Sequence, residues 1–168
     1  MELFEAIEKR ASVRQLAPVE IGENDVRKIL DAGRRAPSGM NVQPLEYIVI
    51  RDKDTIEKLE KVQSFIRQAS LVIGVVADQN SRFWLEDASA ATENMLLAIT
   101  SLGYASCWVE GTLLGHEEWA KGLLGIPEER RLIILLPVGK PADAPVQKDK
   151  KPLVDIAHSE RYGNKLQP

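Results

Sequence analysis

The sequence holds a single cysteine, Cys107, which excludes an internal disulfide and any metal site built from several thiolates. Its two histidines, His116 and His158, stand far apart and lack the H-E-x-x-H spacing of a helical zinc site. A G-x-G-x-x-G dinucleotide fingerprint is absent, and so is a phosphate loop of the GK[ST] type. The longest apolar runs, LVIGVVA and LIILLPVG, are far shorter than the roughly 20 residues that span a bilayer. Met1 leads straight into the acidic MELFEAIEKR with no signal-like segment, so a cytoplasmic protein is expected. With a net charge of −3, bulk electrostatics offers nothing to a nucleic acid or a membrane surface.

What is present fits one domain, residues 1–168, long enough to bury its own core. Leu3, Phe4 and Ile7 give a short first helix an apolar face that ends near Arg10. A second helix fits Glu23 to Arg35, with acidic residues at its start and Gly33 allowing close packing. Leu45 to Ile50 reads as a strand, Asp54 to Gln68 as a third helix, and LVIGVVA as a strand buried on both faces. The longest helix runs roughly from Trp84 to Leu102. Its small and apolar residues cover so much of its circumference that it is central or lies in a subunit interface. YASCWV is a third strand, Glu117 to Leu124 a short helix, and RLIILLPVG a fourth strand. From Pro141 the chain turns polar and proline-rich, and 141–168 reads as an arm packed on the body or on a partner subunit. Helices alternating with strands give α/β or α+β.

Candidate chemistry is sparse. Ser106, Cys107 and Trp108 together resemble a cysteine-protease nucleophile neighbourhood, but Cys107 lies inside an apolar strand pattern and reads as a buried, inert thiol. Lys9, Arg10 and Arg14 cluster, as do Lys148 to Lys151. Such groups are solvated faces or hold a phosphate. The connection APSGMNVQP, residues 36–44, packs two prolines, a glycine and three hydrogen-bonding side chains between a helix and a strand. It is either a plain loop or a cradle. Lacking catalytic side chains and metal ligands, the chain points to a cofactor that carries the chemistry.

Four segments, in order, resemble the FMN-dependent nitroreductase family. They are the R-x-S-x-R pattern in EAIEKRASVRQL, the loop APSGMNVQP, the segment WVEG, and VGKP followed by KDKKPLVDIAH. The resemblance implies an α+β fold: a three-layer α/β sandwich with a central, mainly antiparallel sheet flanked by helices, built into a domain-swapped homodimer. It implies FMN at the subunit interface, NADH or NADPH as co-substrate, and hydride taken up at flavin N5. Electrons then pass by a ping-pong mechanism to a nitroaromatic, a quinone or a similar small-molecule acceptor, with no nucleic acid and no membrane involved. An alternative is a flavin-binding scaffold or sensor without significant turnover.

By the same resemblance, Arg10, Ser12, Lys148 and Lys150 match phosphate contacts, and Arg14 matches a cation near the pyrimidine edge of the flavin. Pro37, Ser38, Gly39, Asn41 and Gln43 match the segment that reaches a flavin across the dimer interface. Trp108, Val109, Glu110 and Gly111 match the piece beside the ring, where a backbone N–H meets N5. Glu110 and Gly111 also read as a strand end with a turn glycine, whose φ the turn can require to be positive. Ala11, Leu16 and Leu45 depart from common family residues and change the substrate pocket. The stretch from Gln63 to Leu71 is compressed and contributes no site residue.

Overall fold

The computed structural model describes residues 1–166. Within them lie helices α1 (Leu3–Lys9), α2 (Glu23–Arg34), α3 (Lys53–Lys58), α4 (Trp84–Ser101), α5 (Gly111–Leu114), α6 (Glu117–Leu124) and α7 (Leu153–Ile156). The strands are β1 (Leu16–Ala17), β2 (Leu45–Ile50), β3 (Leu71–Asp78), β4 (Ala105–Ser106) and β5 (Arg130–Pro141). They form one antiparallel sheet in the order β1-β5-β3-β2, with β4 also paired to β5.

Side chains alternate across a strand, so β3 supplies two cores. Leu71, Ile73, Val75 and Ala77 face a layer built by α2 and α4, where Val26, Ile29, Met95 and Ile99 pack. Val72 and Val76 face Ile56, Leu59, Ile66 and Leu113 on the opposite side. The result is three layers. Val75 pairs with Ile134 while Val76 pairs with Leu132, leaving Ile133 as the extra residue of a bulge. The bulge resets the alternation, and Ile133 and Ile134 both join the α2/α4 core. Gly33 serves close packing as expected, since a Cβ there would lie 3.0 Å from the Met95 sulfur.

Three sequence expectations need correction. The helix expected over Asp54 to Gln68 is α-helical only at Lys53–Lys58, then continues as 3-10 turns at Leu59–Lys61 and Ser64–Gln68, interrupted by extended Gln63. Ile56, Leu59 and Val62 are buried at a spacing of three, which suits the 3-10 turn at Leu59–Lys61. After the break at Gln63, Phe65 and Ile66 are both buried in the second turn.

The strand expected over Tyr104 to Val109 is likewise reduced to β4 and an isolated bridge between Val109 and Leu135. The Tyr104 N–H still donates to Ile99 O in the helix-terminating turn, where Gly103 takes φ +82°. Further along, the register sets Cys107 opposite Pro137, which has no N–H to give, so the ladder lapses until Val109. The expected four strands are also five, because Leu16–Ala17 pairs with the end of β5.

Glu117 anchors α6. Its nearly buried carboxylate accepts hydrogen bonds from Arg131 Nε at 2.6 Å, Arg131 Nη2 at 2.8 Å and the Leu132 N–H at 3.1 Å. His116 is the N-cap residue of α6, without a side-chain capping bond. Among the described residues no helix is long and apolar enough to cross a membrane, and no group of three or more potential metal ligands is found.

Candidate functional site

Helix α1 ends where the Arg10 N–H donates to Ala6 O, and the chain then runs extended beside β4. Ser12 forms a parallel bridge with Ser106, and the Val13 N–H donates to Ser106 O at 2.9 Å. This pairing lays Arg10, Ser12 and Arg14 along the edge of the sheet. Arg10 Nε is 3.4 Å from Glu93 Oε1 on α4, a partly exposed pair worth less than about 1 kcal/mol. Arg14 makes no ion pair among the described residues.

The C-terminal arm reaches the same place. Gln147 Nε2 donates to Ile7 O at 3.1 Å and to Arg10 O at 2.8 Å. Lys148 therefore sits one residue from a contact with the Arg10 backbone, and Lys150 follows two residues later. Both lysines are exposed and make no ion pair among the described residues. Beneath this edge, Cys107 is buried. Burial pushes its thiol pKa up, partly offset by the Arg14 charge and a hydrogen bond involving Ser12.

In the segment 108–111, Val109 exchanges backbone hydrogen bonds with Leu135 at 3.1 and 3.0 Å. Trp108 packs against the α2/α4 core, and its indole N–H donates to Glu110 Oε2 at 2.9 Å. Glu110 is the N-cap residue of α5, and its carbonyl accepts the Leu114 N–H. Gly111 is thus the first residue of a helix and not a turn glycine. It is not among the positive-φ glycines, and a Cβ placed on it meets nothing within 4 Å. Neither backbone conformation nor packing within the chain requires glycine here.

The loop 36–44 is strained. Met40, Asn41 and Gln43 take φ of 53°, 56° and 55°; asparagine tolerates this region, but it costs Met40 and Gln43 about 1–2 kcal/mol each. Inside the loop, Ser38 accepts the Asn41 N–H on its carbonyl and the Gln43 N–H on its hydroxyl. Gln43 Nε2 in turn donates to Asn41 O at 3.4 Å. Pro37 leads into this turn and lines, with Ser38, Tyr47 and Asp87, a cavity of about 170 Å³. The Gly39 N–H donates to Asp87 Oδ1 on α4 at 2.9 Å. The Tyr47 hydroxyl and Asp87 Oδ2 are buried without a partner among the described residues. Burial raises the Tyr47 pKa.

The predicted residues thus fall into two groups. Arg10, Ser12, Arg14, Lys148 and the chain from Trp108 to Gly111 gather at the β4 edge, while the 36–44 loop sits against the start of α4. Among the described residues no hydrogen bond or ion pair joins them. The two helix contacts, Asp87 and Glu93, are six residues apart, about 9 Å along the axis. An open cleft of about 800 Å³ between β1, α3 and the 3-10 turns contains none of these residues. Its cations are largely spent: Arg51 donates to Ile21 O and pairs with Glu23, and Arg67 pairs with Glu60.

Sequence reasoning missed Gln147 and Asp87. A lone acid among Ala88, Ala91 and Thr92 on a buried helix face was the available signal for Asp87.

This architecture is that of a known class. The chain belongs to the nitroreductase family, which it matches over residues 7–64 and 60–140. It is 37% identical over 153 residues to the "Putative NADH dehydrogenase/NAD(P)H nitroreductase" of Archaeoglobus fulgidus, covering 84% of this chain and 87% of that protein. The crystal structure of a Bacteroides thetaiotaomicron protein of the same name superposes with a TM-score of 0.88 at 28% identity, covering 95% of this chain and 98% of that one. A more distant relative is the FMN reductase [NAD(P)H] of Bacillus subtilis, 24% identical over 188 residues, covering 97% of this chain and 75% of that protein.

Proposed function

We propose that the protein is an NAD(P)H-dependent oxidoreductase that holds FMN at the interface of a homodimer. The observation that carries this reading is the convergence of Arg10, Ser12, Arg14 and, through Gln147, Lys148 on the edge formed by β4, whose chain runs on to Gly111, where a Cβ meets only open space. An FMN phosphate carries close to two negative charges. Arg14, Lys148 and Lys150 make no ion pair among the described residues, and Arg10 has only its weak, partly exposed pair with Glu93 to give up. Arg10, Ser12, Lys148 and Lys150 bind the phosphate. Arg14 supplies a positive charge at the pyrimidine edge, where it favours the reduced ring. Trp108 and Val109 hold the segment that lines the ring, its position fixed by the Leu135 bridge. The donor set fits the cofactor.

The redox chemistry, hydride in from NADH or NADPH and electrons out to a nitroaromatic, quinone or similar acceptor by a ping-pong sequence, is what FMN supplies when bound. The side chains bind, orient and set charge, and none is needed as a general acid. NADH or NADPH as co-substrate suits the cytoplasmic location expected from the sequence.

The homodimer is supported by what one chain leaves open. Among the described residues, Pro37, Ser38, Gly39, Asn41 and Gln43 make no hydrogen bond to the cationic group of their own chain, and they serve the partner's flavin. Apolar side chains on α1 (Leu3 62%, Phe4 77% exposed) and α7 (Leu153 72%, Ile156 55% exposed) lack cover. Uncovered apolar clusters of this kind mark association surfaces. The arm touches its own body through Gln147, and its exposed Leu153 and Ile156 offer a face to the partner.

Steady-state oxidation of NADH or NADPH by FMN-loaded protein, with a nitroaromatic and a quinone as acceptors, tests the function. Parallel double-reciprocal lines are expected, with a dimer in sedimentation. Bound FMN without turnover would favour a scaffold or sensor, and an FMN-loaded monomer would remove the interface from the account.

A further inference from the structure

The start of α4 holds the 36–44 loop through residues outside the set just described. Phe83 and Asp87 are four positions apart and share one side of the helix. Asp87 is 4% exposed, and its Oδ1 accepts the Gly39 N–H at 2.9 Å. Phe83 lies under the same residue so closely that a Cβ on Gly39 would fall 2.2 Å from the ring. Directly after this two-point contact come Met40, Asn41 and Gln43, all with positive φ. The conformational preferences of Met40 and Gln43 oppose that geometry, while asparagine tolerates it. Ser38 ties the loop to itself, but among the described residues Asp87 is the side chain that ties it to the body.

A carboxylate at this buried place is costly for packing alone. Its neighbours on the helix are Ala88, Ala91 and Thr92, and Oδ2 has no donor among the described residues. Burying such a group costs free energy unless its hydrogen bonds offset it. The bond to Gly39 is the return. Charge-assisted hydrogen bonds are the stronger kind, and their use here fixes backbone rather than substrate.

We propose that Asp87 is a positioning residue of the flavin site, anchoring Gly39 so that the strained loop holds its shape before any cofactor arrives. The inference rests on the FMN reading above for its functional meaning. Holding the loop in advance removes an ordering cost from binding, which makes affinity depend on a residue that touches no ligand. Phe83 acts with it by excluding any side chain at position 39.

The test is hydrogen exchange of the Gly39 amide in FMN-free protein, paired with FMN titration. In Asp87→Ala the Gly39 amide exchanges about tenfold faster and FMN binds about tenfold more weakly, while β3 and β5 amides keep their protection. Asp87→Asn retains an acceptor of the same shape without the charge and recovers part of both properties. Gly39→Ala leaves the carboxylate in place and displaces the loop through Phe83, with a similar loss of FMN affinity, which covers the case of an Asp87→Ala chain that does not fold. Unchanged Gly39 exchange in Asp87→Ala, or faster exchange with undiminished FMN affinity, overturns the proposal. So does Asp87→Asn behaving like Asp87→Ala. Wild-type protein with a protected Gly39 amide but no affinity for FMN defeats the functional reading instead and leaves the anchor standing.

Discussion

Gly111→Val separates two reasons for a glycine. In the free chain the site is permissive: its φ is not positive, and a Cβ would meet nothing within 4 Å. Gly111 is also the first residue of the four-residue helix α5, where valine and glycine differ by no more than about 0.5 kcal/mol. The apo protein should therefore melt within about 2 °C of wild type. If the flavin ring occupies that open space, a β-branched side chain overpacks it at a cost of about 1–3 kcal/mol. The FMN dissociation constant then rises roughly 5- to 150-fold. Differential scanning calorimetry of apo protein and quenching of FMN fluorescence read the two quantities independently. A variant that melts many degrees lower would show that the glycine serves the fold. One with wild-type stability and wild-type FMN affinity would remove 108–111 from the flavin site.

Arg10→Ala should weaken FMN binding by about 1.5–3 kcal/mol as a lost charge-assisted contact, whereas Arg14→Ala should mainly lower the flavin reduction potential; equal, unchanged values in both would discard the N-terminal assignment. Glu117→Ala leaves Arg131 without its carboxylate and the Leu132 N–H without an acceptor, so about 3 kcal/mol of stability is lost, a drop of roughly 6–12 °C in melting temperature. An unchanged melting temperature would contradict the anchoring role. Burial raises the pKa of both Tyr47 and Cys107, so the folded chain holds these protons more tightly than the unfolded one. The associated stability is complete below about pH 8 and is lost as the pH climbs through about 9 to 10 and beyond. Urea midpoints across that range should fall less steeply in a Tyr47→Phe, Cys107→Ala double variant, and identical slopes would count against this cause.

The elements with strong patterns were legible in the sequence. The apolar run of β3, the small-residue helix α4 and the glycine-stopped α6 all lie where periodicity and capping place them. What escaped depends on distant partners. The lapse of β4 at Cys107 comes from Pro137, thirty residues on in sequence and opposite in the sheet. The 3-10 turns after Lys58 follow from a spacing of three that also suits an α-helix over a short window. Leu16–Ala17 is a strand because the end of β5 is beside it, and two residues carry no period.

The candidate site divides in the same way. Its cations and its small-residue loop are visible in the sequence, since charge and glycine mark function by type. The positive φ of Met40 and Gln43 is not, because neither residue prefers it. Asp87 is only hinted at: its small neighbours Ala88, Ala91 and Thr92 single it out, but the helix dipole already explains an acid in a first helical turn, and the fold is what shows its bond to Gly39.

Anaerobic addition of NADH, and separately NADPH, to FMN-loaded protein tests the central claim most directly. About one FMN per chain, from a two-site dimer, and loss of the oxidised flavin absorbance with at least one of the two nucleotides are expected. Protein that takes up no FMN, or whose bound FMN stays oxidised with both nucleotides, would contradict it.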